Sequence, residues 1–336
     1  MSKRLPKWLT ENTTLPIIAA PMFLVSGPEL VSSCCKNGVI SSFPAPNARS
    51  IDILEEWMNR LTIELKEYKE KHPEKKVAPW AANIVAHRSY SRLQEELALL
   101  KKYKPPIVIT ALGSPIPVIE TVHSYGGLVF ADVNSVKYAK KAAQAGVDGL
   151  VLVSSGAGGH TGSVTGFAFV DAVREFWDGI IVLAGGISTG KSILAAQILG
   201  ADLVYMGTKF IAASESMAQD LYKQMLIEAT HEDIIQTNAF TGVHANMLRQ
   251  SIERAGYDVT NLTSKKKVNF DNPLGETKAW RDVWSAGQGV DTITKLQSAQ
   301  EIIQELKQQY SKAYSNSLQP NKWIQSNMKS EEEAIL

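Results

Sequence analysis

Ala145-Gly146-Val147-Asp148-Gly149-Leu150-Val151-Leu152-Val153 and Leu199-Gly200-Ala201-Asp202-Leu203-Val204-Tyr205-Met206 follow one pattern. In each, a glycine ends a helical stretch, an aspartate stands two residues on, and an apolar run begins. A glycine just past a helix supplies the left-handed residue that stops it. A run apolar on both faces suits a strand of a parallel sheet covered by helices, because an exposed face would need polar residues at alternate positions. The repeated helix-to-strand connection therefore implies a chain built of β/α units.

Working outward, residues 17–20, 39–42, 77–83, 107–110, 128–132 and 180–184 read as further strands beside 149–154 and 203–206. Residues 51–72, 91–103, 136–145 and 191–199 read as amphipathic helices, the first entered through Ser50-Ile51-Asp52. Eight strand candidates, nearly all followed by a helix, predict a closed (β/α)8 TIM barrel, with a doubly wound open sheet as the alternative. The pattern changes after Phe210. Residues 214–310 read as a smaller, mostly helical subdomain interrupted at Gly256, Pro273 and Gly275, expected to cover the mouth of a barrel formed by residues 1–213. Residues 311–336 read as a polar C-terminal tail.

Composition narrows the partners. Lys+Arg at 35 against Asp+Glu at 34 leaves +1, which gives no electrostatic reason to expect nucleic acid or an anionic membrane. A small molecule is the expected partner, and an oligomer is compatible with the sequence. The two cysteines, Cys34 and Cys35, are adjacent and cannot staple distant segments, which fits a reducing cytoplasm. They read as packing residues on a helix. The first eleven residues lack an apolar signal-peptide core, and no run reaches the length of a membrane span.

In a TIM barrel the chemistry lies where the strands end. Here those positions carry Ala20-Pro21-Met22, Asn83, the run Ser154 to Gly162, Ala184-Gly185-Gly186-Ile187, and Met206-Gly207-Thr208-Lys209-Phe210. Glycine admits a ligand close to the backbone, and glycine turns after strands seven and eight are the usual phosphate site of this fold. A rival reading is literal: Gly185 to Ser192 satisfies G-x-x-x-x-G-K-[ST], the P-loop pattern. A P-loop normally opens its domain, whereas this stretch follows six earlier strand candidates. His160 stands among small residues, after Gly156-Ala157-Gly158-Gly159 and before Thr161-Gly162. An imidazole with open space around it at a barrel mouth suits a base or a hydrogen-bond donor near neutral pH. His72 and His231 read as ordinary surface or packing residues. His87, His123 and His244 are scattered, and no zinc-type motif or nucleophile elbow is present, so no metal is expected.

Taken together, Pro16-Ile17-Ile18-Ala19-Ala20-Pro21-Met22, Ala81-Ala82-Asn83, Gly156-Ala157-Gly158-Gly159-His160-Thr161-Gly162, Ala184-Gly185-Gly186-Ile187, Tyr205-Met206-Gly207-Thr208-Lys209-Phe210 and Trp284-Ser285-Ala286-Gly287-Gln288-Gly289 occur in this order. The chain thereby resembles the nitronate monooxygenase (2-nitropropane dioxygenase) family of FMN-dependent TIM barrels, from residue 16 to about residue 289. The resemblance implies FMN as cofactor. Ala20, Pro21 and Met22 would lie along the flavin ring and Asn83 would hydrogen-bond the ring or its ribityl chain. Ala157, Gly158, Gly159 and Met206 would approach the cofactor, and Gly185, Gly186, Gly207 and Thr208 would hold its phosphate. Gln288 would reach back toward it. His160 would take the α-proton of a nitroalkane or bind the nitronate, with His87 and Ser285 as further substrate contacts. The implied chemistry passes electrons from a nitronate to FMN and then to O2, giving a carbonyl compound and nitrite. Many relatives carry Glu four residues before the histidine, where this chain has Gly156. The alternative on the same scaffold is an NAD(P)H-dependent reductase of quinones or enoyl thioesters.

Overall fold

Two hydrogen-bonded contacts of one short strand decide the architecture. In the computed structural model, which describes residues 4–263 and 281–319, β1 (Ile17–Ala19) pairs in parallel with both β2 (Ile40–Pro44) and β9 (Leu203–Met206). The strands between them are β3 (Trp80–Val85), β4 (Ile107–Ala111), β5 (Leu128–Val133), β6 (Gly149–Val153) and β8 (Ile180–Ala184). All adjacent pairs are parallel, and the order β1-β2-β3-β4-β5-β6-β8-β9 closes on itself. The predicted (β/α)8 barrel is therefore observed, and the open sheet is excluded because Ile17 sits beside Val204.

Alternate residues of each strand point inward. Ile18, Ile40, Ala81, Ile109, Phe130, Val151, Val182 and Leu203 pack in the barrel's interior, joined by Leu9 of α1 (Lys7–Asn12). The outward residues, such as Ile17, Phe43, Val108, Leu152 and Val204, meet the helices in a separate layer. That layer comprises α2 (Pro28–Lys36), α3 (Ile51–Lys71), α4 (Leu93–Tyr103), α5 (Ile116–His123), α6 (Val136–Ala145), α7 (Gly166–Arg174) and α8 (Gly190–Ile198). Ser50 caps α3 by accepting from Ile53 N. Cys34 and Cys35 are fully buried on α2, and burial pushes the Cys35 thiol up to about 12.

The repeated glycine–aspartate pair acquires a physical meaning. Gly146 and Gly200 take φ of 92° and 107°, which only glycine adopts without strain. Asp148 Oδ2 then accepts from Val129 N at 2.7 Å, and Asp202 Oδ2 accepts from Ile181 N at 2.8 Å. Each carboxylate thus bonds the first amides of the preceding strand and fixes the register of its own. Arg174 completes the second copy at 2.7 Å from Asp202.

Besides the helices α10 (Asp220–Glu228) and α11 (Arg249–Arg254), the described part of residues 214–310 holds two strands that the sequence did not mark, β10 (Ile234–Thr237) and β11 (Ala245–Leu248). These strands form a three-stranded antiparallel sheet with β7 (Gly159–His160). The last helix, Ala299–Ser317, runs through the expected boundary at 310. It packs on α8 and α2 through the buried Ile302, Ile303 and Leu306, and so supplies the helix missing after β9. Its start carries a capping box, Ser298 with Glu301. Pro273 and Gly275 lie outside the described residues, as do residues 320–336 of the expected tail. Among the described residues, no helix is long and apolar enough to cross a membrane.

Candidate active site

The strands' C-terminal ends open into a cavity of about 1020 Å3, the size expected for a cofactor with a substrate. Its walls come from several loops, each held by identifiable bonds. The loop after β1 brings Ala20, Pro21 and Met22 to the cavity. Asn47, a buried amide absent from the sequence-level candidates, shapes that loop. Its Nδ2 donates to Met22 O and Ser26 O at 2.9 and 2.7 Å, and its Oδ1 accepts from Leu24 N at 2.9 Å. Asn83 also lines the cavity and donates to Ile109 O at 3.1 Å, leaving Oδ1 as the amide's acceptor.

The glycine elbows after β8 and β9 face the same space. Gly185 and Gly186 take φ of 117° and 67°, and no atom lies within 4 Å of where a Cβ at Gly186 would stand. Gly207 and Thr208 line the cavity where α9 (Thr208–Ile211) begins, its first amides having no partner within the helix. Gly156 is the knot between loops: its carbonyl accepts from Gly186 N at 3.1 Å and from Gln288 N at 3.0 Å. A Cβ there would stand 3.1 Å from Gly186 N and 3.3 Å from Gln288 Oε1. A side chain at this position, such as the glutamate the family resemblance implies, requires these neighbours to give by a few tenths of an ångström. Gly158 is more tightly placed still, 2.7 Å from Gly287 N for an added Cβ, and Gly287 N donates to Thr208 Oγ1 at 2.9 Å. The segment around Ser285 and Gly287 thus closes one side of the site.

His160 sits on β7, half-buried at the cavity wall, opposite Ala245 of β11. Its Nε2 lies 3.3 Å from Thr241 Oγ1, whose hydroxyl donates to Val243 O at 2.9 Å. The pair ties the imidazole to the Thr241–Val243 turn, with the donor and acceptor roles set by the ring's tautomer. The loop before it is fastened by the buried Asn246, whose Nδ2 donates to Ser155 O at 2.9 Å and Ala157 O at 2.7 Å.

The cavity therefore brings together most of the sequence candidates: Ala157, Gly158, Gly159 and Ser285 join those already placed. Three are elsewhere. Met206 is turned outward by the strand's alternation, into the layer beneath the helices, while its neighbours Tyr205 and Gly207 face in. Gln288 is exposed and outside the cavity lining, meeting Gly156 through its backbone N–H and its side-chain Oε1. His87 lies beyond the end of β3 with Nδ1 2.6 Å from Ser89 Oγ, outside the cavity lining.

Asp132 and Tyr205 also face the cavity and were missed. Burial pushes the Asp132 carboxyl up to about 7, and burial together with the neighbouring Asp132 holds the Tyr205 phenol well above its usual range. The only signal in the sequence was a lone acid at the end of the apolar run Leu128–Val133.

The P-loop reading fails on geometry. Ser192 hydrogen-bonds Thr189 N at 3.0 Å as part of a capping box, and Gly190 N donates to Gln309 Oε1 at 2.9 Å. A Cβ on Gly190 would lie 2.1 Å from Tyr310 N, so the last helix fills the space a nucleotide phosphate would need, and Lys191 points to solvent. Among the described residues, no three His, Cys, Asp or Glu side chains are grouped to hold a metal ion.

Comparison with known proteins agrees with this geometry. A putative monooxygenase of Mycobacterium tuberculosis is 29% identical over 220 residues, covering 61% of this chain and 59% of that protein. A probable nitronate monooxygenase of Bacillus subtilis is 25% identical over 342 residues, covering 89% of this chain and 96% of its own. The solved structure of nitroalkane oxidase from Streptomyces ansochromogenes shares the fold, with a TM-score of 0.73 at 24% identity over 92% of this chain and 99% of that one. The family model for nitronate monooxygenase matches residues 6–309, so the chain belongs to the nitronate monooxygenase family of oxidoreductase enzymes.

Proposed function

We propose that this chain is an FMN-dependent nitronate monooxygenase that oxidises alkyl nitronates with O2 to a carbonyl compound and nitrite. One observation carries the reading: the glycine elbows after β8 and β9 and the His160 imidazole line a single cavity at the barrel's C-terminal rim. The residues present suit FMN. The open Cα of Gly186 and the start of α9 form a cradle where a side chain would intrude, and helix starts favour phosphate. FMN, when bound, supplies the two-electron chemistry. The chain's own residues do the rest. Asn83 offers an amide to the ring or ribityl chain, and the Ala20–Met22 backbone, held by Asn47, supplies a flat wall. His160 positions the nitronate or accepts its proton, with Thr241 fixing the ring through Nε2.

The test begins with an absorption spectrum of the purified protein, followed by anaerobic titration with a nitronate and then with NADH. The proposal expects a yellow protein bleached by nitronate. Bleaching by NADH alone, with no response to nitronate, overturns it in favour of the NAD(P)H-dependent reductase. His160→Ala should keep the colour while kcat/KM falls about 100-fold or more, the usual contribution of a placed acid or base. An unchanged kcat/KM removes the histidine from the mechanism.

A further inference from the structure

The inner wall of the barrel is apolar over most of its height and changes near the cavity. On β5 the inward positions run Leu128, Phe130, Asp132, and on β9 they run Leu203, Tyr205. Asp132 Oδ1 and Tyr205 OH are both buried and neither has a hydrogen-bond partner among the described residues. Buried polar atoms without partners are rare in folded proteins, and two that share one cavity imply a ligand that supplies the missing contacts. Burial favours the protonated form of each group, so both present O–H donors. A metal cation is a poor fit, since among the described residues Asp132 is the only carboxylate lining the cavity. The complement of two O–H donors lining one cavity is an oxygen bearing negative charge, and an apolar site that keeps a carboxylic acid neutral near a tyrosine is a known way to hold one.

We propose that Asp132 and Tyr205 form an oxyanion pocket that binds the charged oxygen of a delocalised organic anion at the floor of the cavity. The pocket rests on the flavin reading only for which anion arrives. A nitronate and the anionic ring of a reduced flavin share the required chemistry. The flanking strands add no ionisable group beside Asp132, since Ile109 and Ala111 of β4 and Val151 and Val153 of β6 share its side of the wall. Tyr205 is its ionisable neighbour, while His160, Tyr138 and Lys141 line other parts of the same cavity. Below about pH 7 the neutral acid donates to the anion; above it the carboxylate repels the anion.

The experiment measures binding of pentafluorophenolate, an anion on both sides of neutrality, by calorimetry to FMN-loaded and FMN-stripped protein. Sulfite titration of the loaded protein, followed through loss of the flavin's visible band, reports how well the site tolerates negative charge on the ring. Tyr205→Phe and Asp132→Leu should each weaken at least one of the two anions by about tenfold near pH 6, the scale of one hydrogen bond to a charged acceptor. Asp132→Asn keeps a donor and should stay within about threefold there, while losing the fall in affinity that the wild type shows above about pH 7. A loss in phenolate binding assigns the pocket to substrate, and a loss confined to sulfite assigns it to the cofactor. The proposal is overturned if Tyr205→Phe leaves both affinities unchanged, or if the Asp132→Asn profile follows the wild type. A preparation that refuses FMN sinks the flavin reading alone, because the phenolate titration still tests the pocket.

Discussion

Gly185 and Gly186 are adjacent, both lie at positive φ, and their substitutions should behave differently. An added Cβ at Gly185 would stand 2.1 Å from Ser154 Oγ, the hydroxyl that donates to Ala184 O. Gly185→Ala therefore combines backbone strain with a clash at the end of β6. We expect a loss of about 2 kcal/mol or more, seen as a lower midpoint in chemical denaturation. Gly186→Ala meets open space, so only the left-handed conformation, about 1 kcal/mol, opposes it. Its main effect should be a weaker Kd for FMN, measured on stripped protein, because the new methyl group enters the space assigned to phosphate. These glycines were legible in the sequence because few other residues tolerate such angles. His160 was legible because its neighbours are too small to bury it. Asp132 and Tyr205 were not, since an inward acid has no meaning until the strand across the barrel is known. Asn47 and Asn246 were hidden for the same reason: each stitches loops distant in sequence.

Strand and helix patterns were read with uneven success, and the cause is burial. The eight barrel strands stood out because both their faces are covered, making each a nearly continuous apolar run. β7, β10 and β11 are two to four residues long, and β10 is largely half-buried and polar at Gln236, so neither periodicity nor composition marks them. Yet β11 is the element that aligns His160. Asn246→Ala would strip two loop carbonyls of their donor and should lower stability by roughly 1–3 kcal/mol. Turnover should fall further than flavin content, because the loop it fastens leads directly into the imidazole and only flanks the phosphate cradle. Parallel losses of colour and activity would count against that division of labour. The helix Ala299–Ser317 was split in the sequence reading because its exposed face, rich in Gln and Ser, resembles a tail. Its buried stripe of Ile302, Ile303 and Leu306 is what holds it to the ring.

At the scale of the whole molecule, the ring of eight strands and eight helices is interrupted once, between β9 and its helix. The ends of that interruption touch: Ala213 and Gln297 form a β-bridge, and Ser214 N donates to Gln297 O at 2.9 Å. A chain in which a short Gly–Ser linker replaces residues 215–296 should still give the circular dichroism of a β/α barrel. Its midpoint should be lowered by exposure of Val25, Ile211 and Ala212, which the excursion covers. It should have no turnover, since Thr241, Asn246 and Gly287 leave with the excised part. Loss of the barrel's cooperative unfolding would show that the excursion is structural. Because both doorposts stand side by side, whatever hangs between them is free to be recut without disturbing the wall. Exchanging that stretch among relatives is then the natural route by which one barrel acquires a new appetite.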